Sequence, residues 1–125
     1  IGGHVVVGES AFLGGLSAVH QHCRIGDFAF IGGGATVVND VIPYASAFGN
    51  HARLVGLNVI GMKRRGVPRD TIKDLRAAYR MLFSDESVFK ERIDLVRERF
   101  GRREEVARIL NFIESNASRP LMPAR

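Results

Sequence analysis

The first fifty residues repeat in units of six, and this period constrains the fold more than any other feature of the sequence. The first position of each unit is aliphatic: Ile1, Val7, Leu13, Val19, Ile25, Ile31 and Val37. The fifth is small or β-branched: Val5, Ala11, Ser17, Cys23, Ala29, Ala35, Val41 and Ala47. Neither a helix of 3.6 residues per turn nor a strand of period two produces a period of six. Short repeats of this kind predict a parallel β-helix.

In such a fold three units form one triangular coil of eighteen residues, and successive coils stack about 4.8 Å apart as parallel strands. Residues eighteen apart then lie above one another, so His4 and His22 should stack on one corner. The second position of most units is glycine, which we expect at turns with an unusual φ. His20 occupies this position once. It is either a surface imidazole at a tolerant turn or a group directed at a ligand.

Charge divides the chain into two parts. Residues 1–50 carry a net charge of −2 and residues 51–125 a net charge of +7. The single cysteine, Cys23, favours a reducing compartment, and we expect a cytoplasmic protein. No apolar run reaches the length of a membrane span, so no membrane insertion is expected. The basic residues are not interleaved with stacking aromatics, which argues against nucleic acid as a partner.

The pattern starts at Ile1 without Met, and fewer than three coils are present. We therefore expect the chain to be a piece of a longer protein. The domains expected are β-helix coils over 1–50, a loop and basic junction over 51–68, and a helical domain over 69–125. Pro43 is expected to block strand pairing, so that the chain leaves the coil as a loop. The last residues, NASRPLMPAR, are expected to be frayed.

Three helices are expected in the second half. The first starts near Pro68 and places Ile72, Leu75, Tyr79 and Leu82 inward. The second runs over about 86–100 and the third over about 103–116. Lys73, Arg76 and Arg80 lie off the apolar stripe of the first helix. A β-helix followed by a small helical bundle is the predicted architecture.

The combination AVHQ, GNHA, GLN and GMKRRG, on a hexad background, resembles the C-terminal part of the bacterial UDP-N-acetylglucosamine O-acyltransferases of lipid A biosynthesis. The resemblance covers essentially the whole chain. It implies a homotrimer of left-handed β-helices with sites between neighbouring subunits. It also implies transfer of a 3-hydroxyacyl group from acyl carrier protein to the sugar 3-hydroxyl of UDP-N-acetylglucosamine, without a metal or other cofactor.

The resemblance also implies roles for individual residues. The histidine general base of the family falls in a coil before Ile1, so no catalytic residue is expected within this chain, and the chain alone is expected to be nearly inactive. The substrate-binding residues that it implies are His4, His20, Gln21, His51, Asn58, Arg64 and Arg65. Gly33 falls where the family sets acyl length, and Phe30 lies close to it in sequence. Ile60 departs from the pattern, which has an acid there. His22 has no counterpart.

Lys73, Arg76 and Arg80 are expected to dock the acidic carrier protein, since a basic surface beside the groove would speed its association. Two other functions fit parts of the sequence. One is a non-catalytic module that forms trimers or binds a carrier protein. The other is a zinc-dependent enzyme like the gamma-type carbonic anhydrases, with His4, His20 and His22 as ligands. The basic run and the helical tail are not expected for such a zinc enzyme.

Overall fold

The computed structural model describes all residues 1–125. Six two-residue strands open it: β1 (Val6–Val7), β2 (Phe12–Leu13), β3 (Ala18–Val19), β4 (Arg24–Ile25), β5 (Phe30–Ile31) and β6 (Thr36–Val37). They pair in parallel as β1 with β4, β2 with β5 and β3 with β6. In each pair the partners are eighteen residues apart, as Val6 and Arg24 are. The chain therefore winds in three-walled coils of eighteen residues, as the hexads predict.

The interior of the coils is filled by the first and fifth positions of the repeat. Their buried members are Val19, Cys23, Ile25, Ala29, Ile31, Ala35, Val37, Val41 and Ala47. In the first coil Ile1 and Val7 are exposed, whereas Val5, Ala11 and Leu13 are half-buried. Aliphatic and small residues alternate in this way because each narrow wall leaves room for one large and one small side chain.

The corners differ from expectation in where the unusual backbone angle lies. Positive φ occurs at the fourth position of the hexad, at His4, Ser10, Leu16, His22, Phe28 and Gly34. The second-position glycines have ordinary φ, and they are needed for a different reason. A Cβ at Gly26 would lie 2.4 Å from the backbone nitrogen of Pro43, and a Cβ at Gly14 would lie 2.5 Å from that of Gly33. Glycine is required there because the next coil passes too close for any side chain.

The third coil is two residues shorter than the first two. Ile25 pairs with Val41, sixteen residues on, so the corner at 38–40 is the shortened one. The coil then continues in β7 (Ala45–Phe48), which pairs in parallel with β5, and in β8 (Arg53–Leu57), which pairs with β7 in antiparallel. The expectation that Pro43 starts a loop out of the coil is therefore wrong. Pro43 precedes β7 and removes no hydrogen bond from it.

Four helices follow: α1 (Val59–Arg64), α2 (Arg69–Leu82), α3 (Phe89–Phe100) and α4 (Glu104–Ser115). The apolar stripes of α2, α3 and α4 are buried largely as predicted, although α3 begins three residues later than expected. The junction 51–68 was expected to be a loop, but it contains β8 and α1. A single apolar core of 26 buried residues runs from the coils into the helices. None of the helices combines the length and the apolarity that a bilayer crossing needs.

The C-terminal segment is ordered against the third coil, so the expectation of a frayed tail is wrong. Leu121 pairs with Asp40 and Ala124 with Leu54, both in parallel. The Met122 N–H donates to the Asp40 carbonyl at 2.8 Å, and Met122 is fully buried. Local propensity missed this because the pairing is tertiary. The segment pairs with the third coil and with β8 through these two single bridges.

Candidate functional site

One edge of the three-sided prism carries three of the four histidines. His4 and His22 stack with parallel rings, 2° apart and 5.1 Å between centroids, as the eighteen-residue period predicts. The His22 N–H donates to the Gly3 carbonyl at 3.0 Å, so the corner that contains His20 and Gln21 lies directly above the corner of His4. His20 and Gln21 therefore lie on the same edge as His4. All four side chains are exposed. The edge therefore presents imidazoles and one amide to the solvent, groups that donate and accept hydrogen bonds to a polar ligand.

The shortened corner explains why histidine replaces glycine at position 20. At Gly2, Gly8, Gly14 and Gly26 a side chain would meet the backbone of the next coil, and at Gly32 it would meet the ring of Phe48. Above His20 the chain runs from Val37 to Val41 in four residues, whereas six residues separate Val19 from Ile25 beneath it. The upper corner therefore cuts inside the lower one. The Cβ of His20 has room, and its ring extends to solvent.

A second feature is a groove of about 470 Å³ on the wall formed by β2, β5, β7 and β8, closed by α1. Its lining includes Phe30, Phe48, Leu57, Asn58, Ile60 and Arg64. The Asn58 Oδ1 accepts from the Gly61 N–H at 3.1 Å and caps α1. The groove thus has an apolar floor with one amide and one guanidinium at its side. Of the predicted nucleotide residues it brings together Asn58 and Arg64.

Arg65 lies elsewhere. Its guanidinium carbon is 4.4 Å from the ring centroid of Phe28, and that of Arg108 is 5.4 Å from the same ring. Phe28 also stacks on Tyr44 at 5.3 Å. Burial raises the pKa of the Tyr44 phenol to about 12. Arg64 and Arg65 are adjacent in the sequence but contact different parts of the coil: Arg64 lines the groove beside α1, and Arg65 lies over Phe28.

Gly33 and His51 share the third edge of the prism. The Ala52 N–H donates to the Thr36 carbonyl and the Thr36 N–H to the Gly49 carbonyl, which places residues 49–52 above the corner of Gly33. Both Gly33 and His51 are exposed. Within one chain they lie on a different edge from His4 and His20.

A ladder of three phenylalanines runs up one wall, and the sequence interpretation missed it. Phe12 stacks on Phe30 at 4.9 Å between centroids, and Phe30 contacts Phe48 at 5.8 Å with the two rings tilted by 35°. Phe12 and Phe48 are exposed. The signal was present, since phenylalanine recurs at the sixth position of the hexad, on the outer side of the wall.

The basic residues of α2 lie in one open groove. Lys73, Arg76 and Arg80 line it together with Lys63, Arg69 and Asp70. None of the five basic side chains has a carboxylate within 4 Å. The sequence interpretation missed Arg69. With Arg69 as position i, Lys73, Arg76 and Arg80 are i+4, i+7 and i+11, so all four lie on one face of α2. Elsewhere, no three His, Cys, Asp or Glu side chains are grouped as a metal site requires.

Known proteins resemble this chain over most of its length. The family model described as UDP N-acetylglucosamine O-acyltransferase, domain 2, matches residues 40–122. An acyl-[acyl-carrier-protein]–UDP-N-acetylglucosamine O-acyltransferase of Caulobacter vibrioides is 56% identical over 90 residues, which are 71% of this chain and 34% of that protein. One of the same description from Rhizobium rhizogenes is 42% identical over 119 residues, which are 95% of this chain and 44% of that protein.

Solved structures agree. The Arabidopsis UDP-N-acetylglucosamine acyltransferase has a TM-score of 0.89 and 38% identity, over 99% of this chain and 45% of that one. The enzyme of the same description from Campylobacter jejuni has a TM-score of 0.85 and 29% identity, over 98% and 47%. The chain thus spans half or less of the proteins that it matches. With its stacked coils, the histidine edge and these matches, the chain belongs to the UDP-N-acetylglucosamine O-acyltransferase family.

Proposed function

We propose that the whole protein is an acyl-[acyl-carrier-protein]–UDP-N-acetylglucosamine O-acyltransferase. It transfers a 3-hydroxyacyl chain to the sugar 3-hydroxyl in the first step of lipid A biosynthesis, in the cytoplasm. The observation that carries the proposal is the edge on which His4, His20 and Gln21 lie together and exposed. The relatives' names give the same donor and acceptor.

The reaction needs a general base at the sugar hydroxyl and hydrogen-bond donors at the thioester oxygen. We place the base outside these 125 residues, in a coil that stacks beneath β1, β2 and β3. His4, His20 and Gln21 then bind and orient the substrates rather than take the proton. The 125 residues alone should bind parts of the substrates with little or no transfer.

The nucleotide is proposed to contact the groove beside α1. The Arg64 guanidinium offers a planar fork of donors that suits a diphosphate. The Asn58 Oδ1 is occupied by the Gly61 N–H, so its Nδ2 is the atom left for a ligand. Ile60 lies in the same groove and supplies an apolar contact where the family pattern has an acid. The Arg65 guanidinium lies over the Phe28 ring, so it would have to move away from that ring to contact a nucleotide in this groove.

The acyl chain is proposed to run past Gly33 and His51. A Cβ at Gly33 would lie 3.3 Å from the Gly15 carbonyl oxygen, so glycine keeps this edge flat. Phe30 lies on the neighbouring wall and shortens the path from that side. The aliphatic tail would be covered from both sides only in an assembly.

A left-handed homotrimer is the assembly proposed. The exposed phenylalanine ladder supports it, because a soluble monomer seldom leaves a contiguous apolar wall uncovered. The two edges with proposed substrate residues lie apart within one chain. A neighbouring subunit would bring the His4 edge of one copy to the His51 edge of another.

The basic groove of α1 and α2 is proposed to dock acyl carrier protein. Its five cations have no carboxylate partners within the chain, and a single acid, Asp70, lies among them. Such a surface attracts an acidic partner and speeds its association at low ionic strength.

The test is an acyl-transfer assay on the whole protein, with 3-hydroxyacyl-[acyl-carrier-protein] and UDP-N-acetylglucosamine and with the product identified by mass spectrometry. We expect O-acylated UDP-N-acetylglucosamine, and kcat/KM lower by about a hundredfold in His20→Ala, the size expected when a reactant is mispositioned. Ser10→Ala, an exposed polar truncation on another edge, is the control and should be near normal. Absence of the product in the unaltered protein would refute the proposal.

A further inference from the structure

Asp40 is a buried carboxylate that lies outside the histidine edge and outside both grooves. Its side chain is fully buried and accepts from the Arg24 backbone N–H at 2.9 Å and from the Arg24 Nε at 2.7 Å. The Arg119 Nη2 donates to it at 3.1 Å. Its backbone pairs with the C-terminal segment, since the Asp40 N–H donates to Pro120 and its carbonyl accepts from Met122. A buried charge is retained at such a point only when it is paired on all sides.

The position of this cluster connects it to the histidine edge. Asp40 ends the shortened corner at 38–40, directly above the corner of His20 and Gln21. The Arg24 N–H that it accepts from comes two residues after His22 on the lower coil. The Asp40 carboxylate thus links the shortened corner at 38–40 to Arg24, which follows the corner of His20 and Gln21. Arg119 links this carboxylate to the C-terminal segment.

The short corner is also what gives His20 its room. If the corner relaxed outward, its backbone would approach the His20 Cβ, as the next coil does at Gly2, Gly8, Gly14 and Gly26, where a Cβ would lie 2.4–2.6 Å from backbone nitrogen. The His20 backbone or ring would then have to shift to relieve this steric clash. The contacts of Asp40 with Arg24 and Arg119 therefore affect the histidine edge by fixing how close the corner at 38–40 comes to the corner of His20.

We propose that Asp40 is a positioning residue for His20 and Gln21, held in place by Arg24 and by Arg119 of the C-terminal segment. The proposal rests on the substrate-binding role of the His20 edge. The segment that looked unstructured in the sequence then serves to orient this edge.

Arg119→Ala tests the proposal in the whole protein, because Arg119 is partly exposed and Asp40 keeps Arg24. We expect the KM for UDP-N-acetylglucosamine to rise by about three- to tenfold, since a lost hydrogen bond to a buried charge is a substantial loss. The KM for the acyl carrier donor should rise less, since most of the carrier's contacts are expected at the basic groove of α1 and α2. Arg119→Lys, which retains a cation, should restore most of the affinity.

Arg103→Ala is the matched control. It breaks an ion pair of similar length, Arg103 Nε to Asp74 Oδ2 at 2.9 Å, but one that joins α2 to the residue before α4. If Arg103→Ala raises the KM as much as Arg119→Ala does, general loosening accounts for the effect and the proposal is wrong.

A second readout does not depend on activity. The ¹H–¹³C NMR signals of the His20 ring, in protein without nucleotide, should move in Arg119→Ala and stay in Arg103→Ala. An unmoved His20 signal overturns the positioning role. If instead His20→Ala transfers acyl groups normally while the signal still moves, the coupling stands and the function proposed for the edge fails.

Discussion

At the scale of single residues, the glycines and His20 obey one rule of space. Gly2, Gly8, Gly14 and Gly26 face the backbone of the coil above, and Gly32 faces the ring of Phe48. His20 is exempt because the coil above it is shorter there. The sequence predicts where these residues recur but not why. The strained φ lies two positions later, at residues such as His22 and Phe28, for which no local pattern signals a turn.

Gly26→Ala should destabilise the fold by about 2 kcal/mol, the usual cost of forcing an extra methyl into a packed site. Its Cβ would lie 2.4 Å from the Pro43 nitrogen, where the backbone has little freedom to yield. Gly3→Ala is the matched control, since a Cβ there meets nothing within 4 Å. Urea unfolding of the three proteins measures the difference. Equal losses in both variants would contradict the rule.

Tyr44 makes stability depend on alkaline pH. Its folded pKa is raised to about 12 by burial, whereas an unfolded tyrosine ionises near 10. Between these values the unfolded chain binds fewer protons than the folded one, so stability falls as pH rises from about 10 to 12, by up to about 2–3 kcal/mol. Tyr44→Phe should remove this part of the decline. Parallel unfolding curves for both proteins across that range would show that the phenol plays no part.

At the scale of elements, α2 has two faces with different tasks. The apolar face, with Ile72, Leu75 and Leu82, enters the core. The opposite face lines the basic groove with Arg69, Lys73, Arg76 and Arg80. Helical spacing predicts this division from the sequence. It does not predict the contribution of Lys63, which comes from α1, a helix too short to recognise by its period.

Charge reversal on this face tests carrier docking. Arg76→Glu should raise the KM for the acyl carrier donor by about tenfold at low salt, and the difference should shrink as salt screens the attraction. The KM for the sugar nucleotide should not change. Lys90→Glu, an equal change of charge on the exposed side of α3, is the control. A salt-independent effect, or the same effect from both variants, would assign these charges to solubility alone.

At the scale of the molecule, the sequence predicts the coils and three of the four helices because both depend on periodic burial. It misses the features that depend on distant partners. Leu121 and Ala124 pair with residues about seventy to eighty positions earlier. The Arg65 guanidinium lies over the Phe28 ring and is therefore separated from that of Arg64. The candidate site is predicted residue by residue through the family motifs. Only the coil geometry shows which of its members share an edge.

Eighteen-residue winding places His4 and His20 on one edge, and we propose that this edge binds the nucleotide sugar. The most direct measurement is a titration of the whole protein with UDP-N-acetylglucosamine, followed through the ¹H–¹³C NMR signals of the histidine rings and assigned with His→Gln variants. We expect the His4 and His20 signals to move together with one dissociation constant. If both stay fixed at a saturating concentration of the nucleotide sugar, the edge is not its binding site.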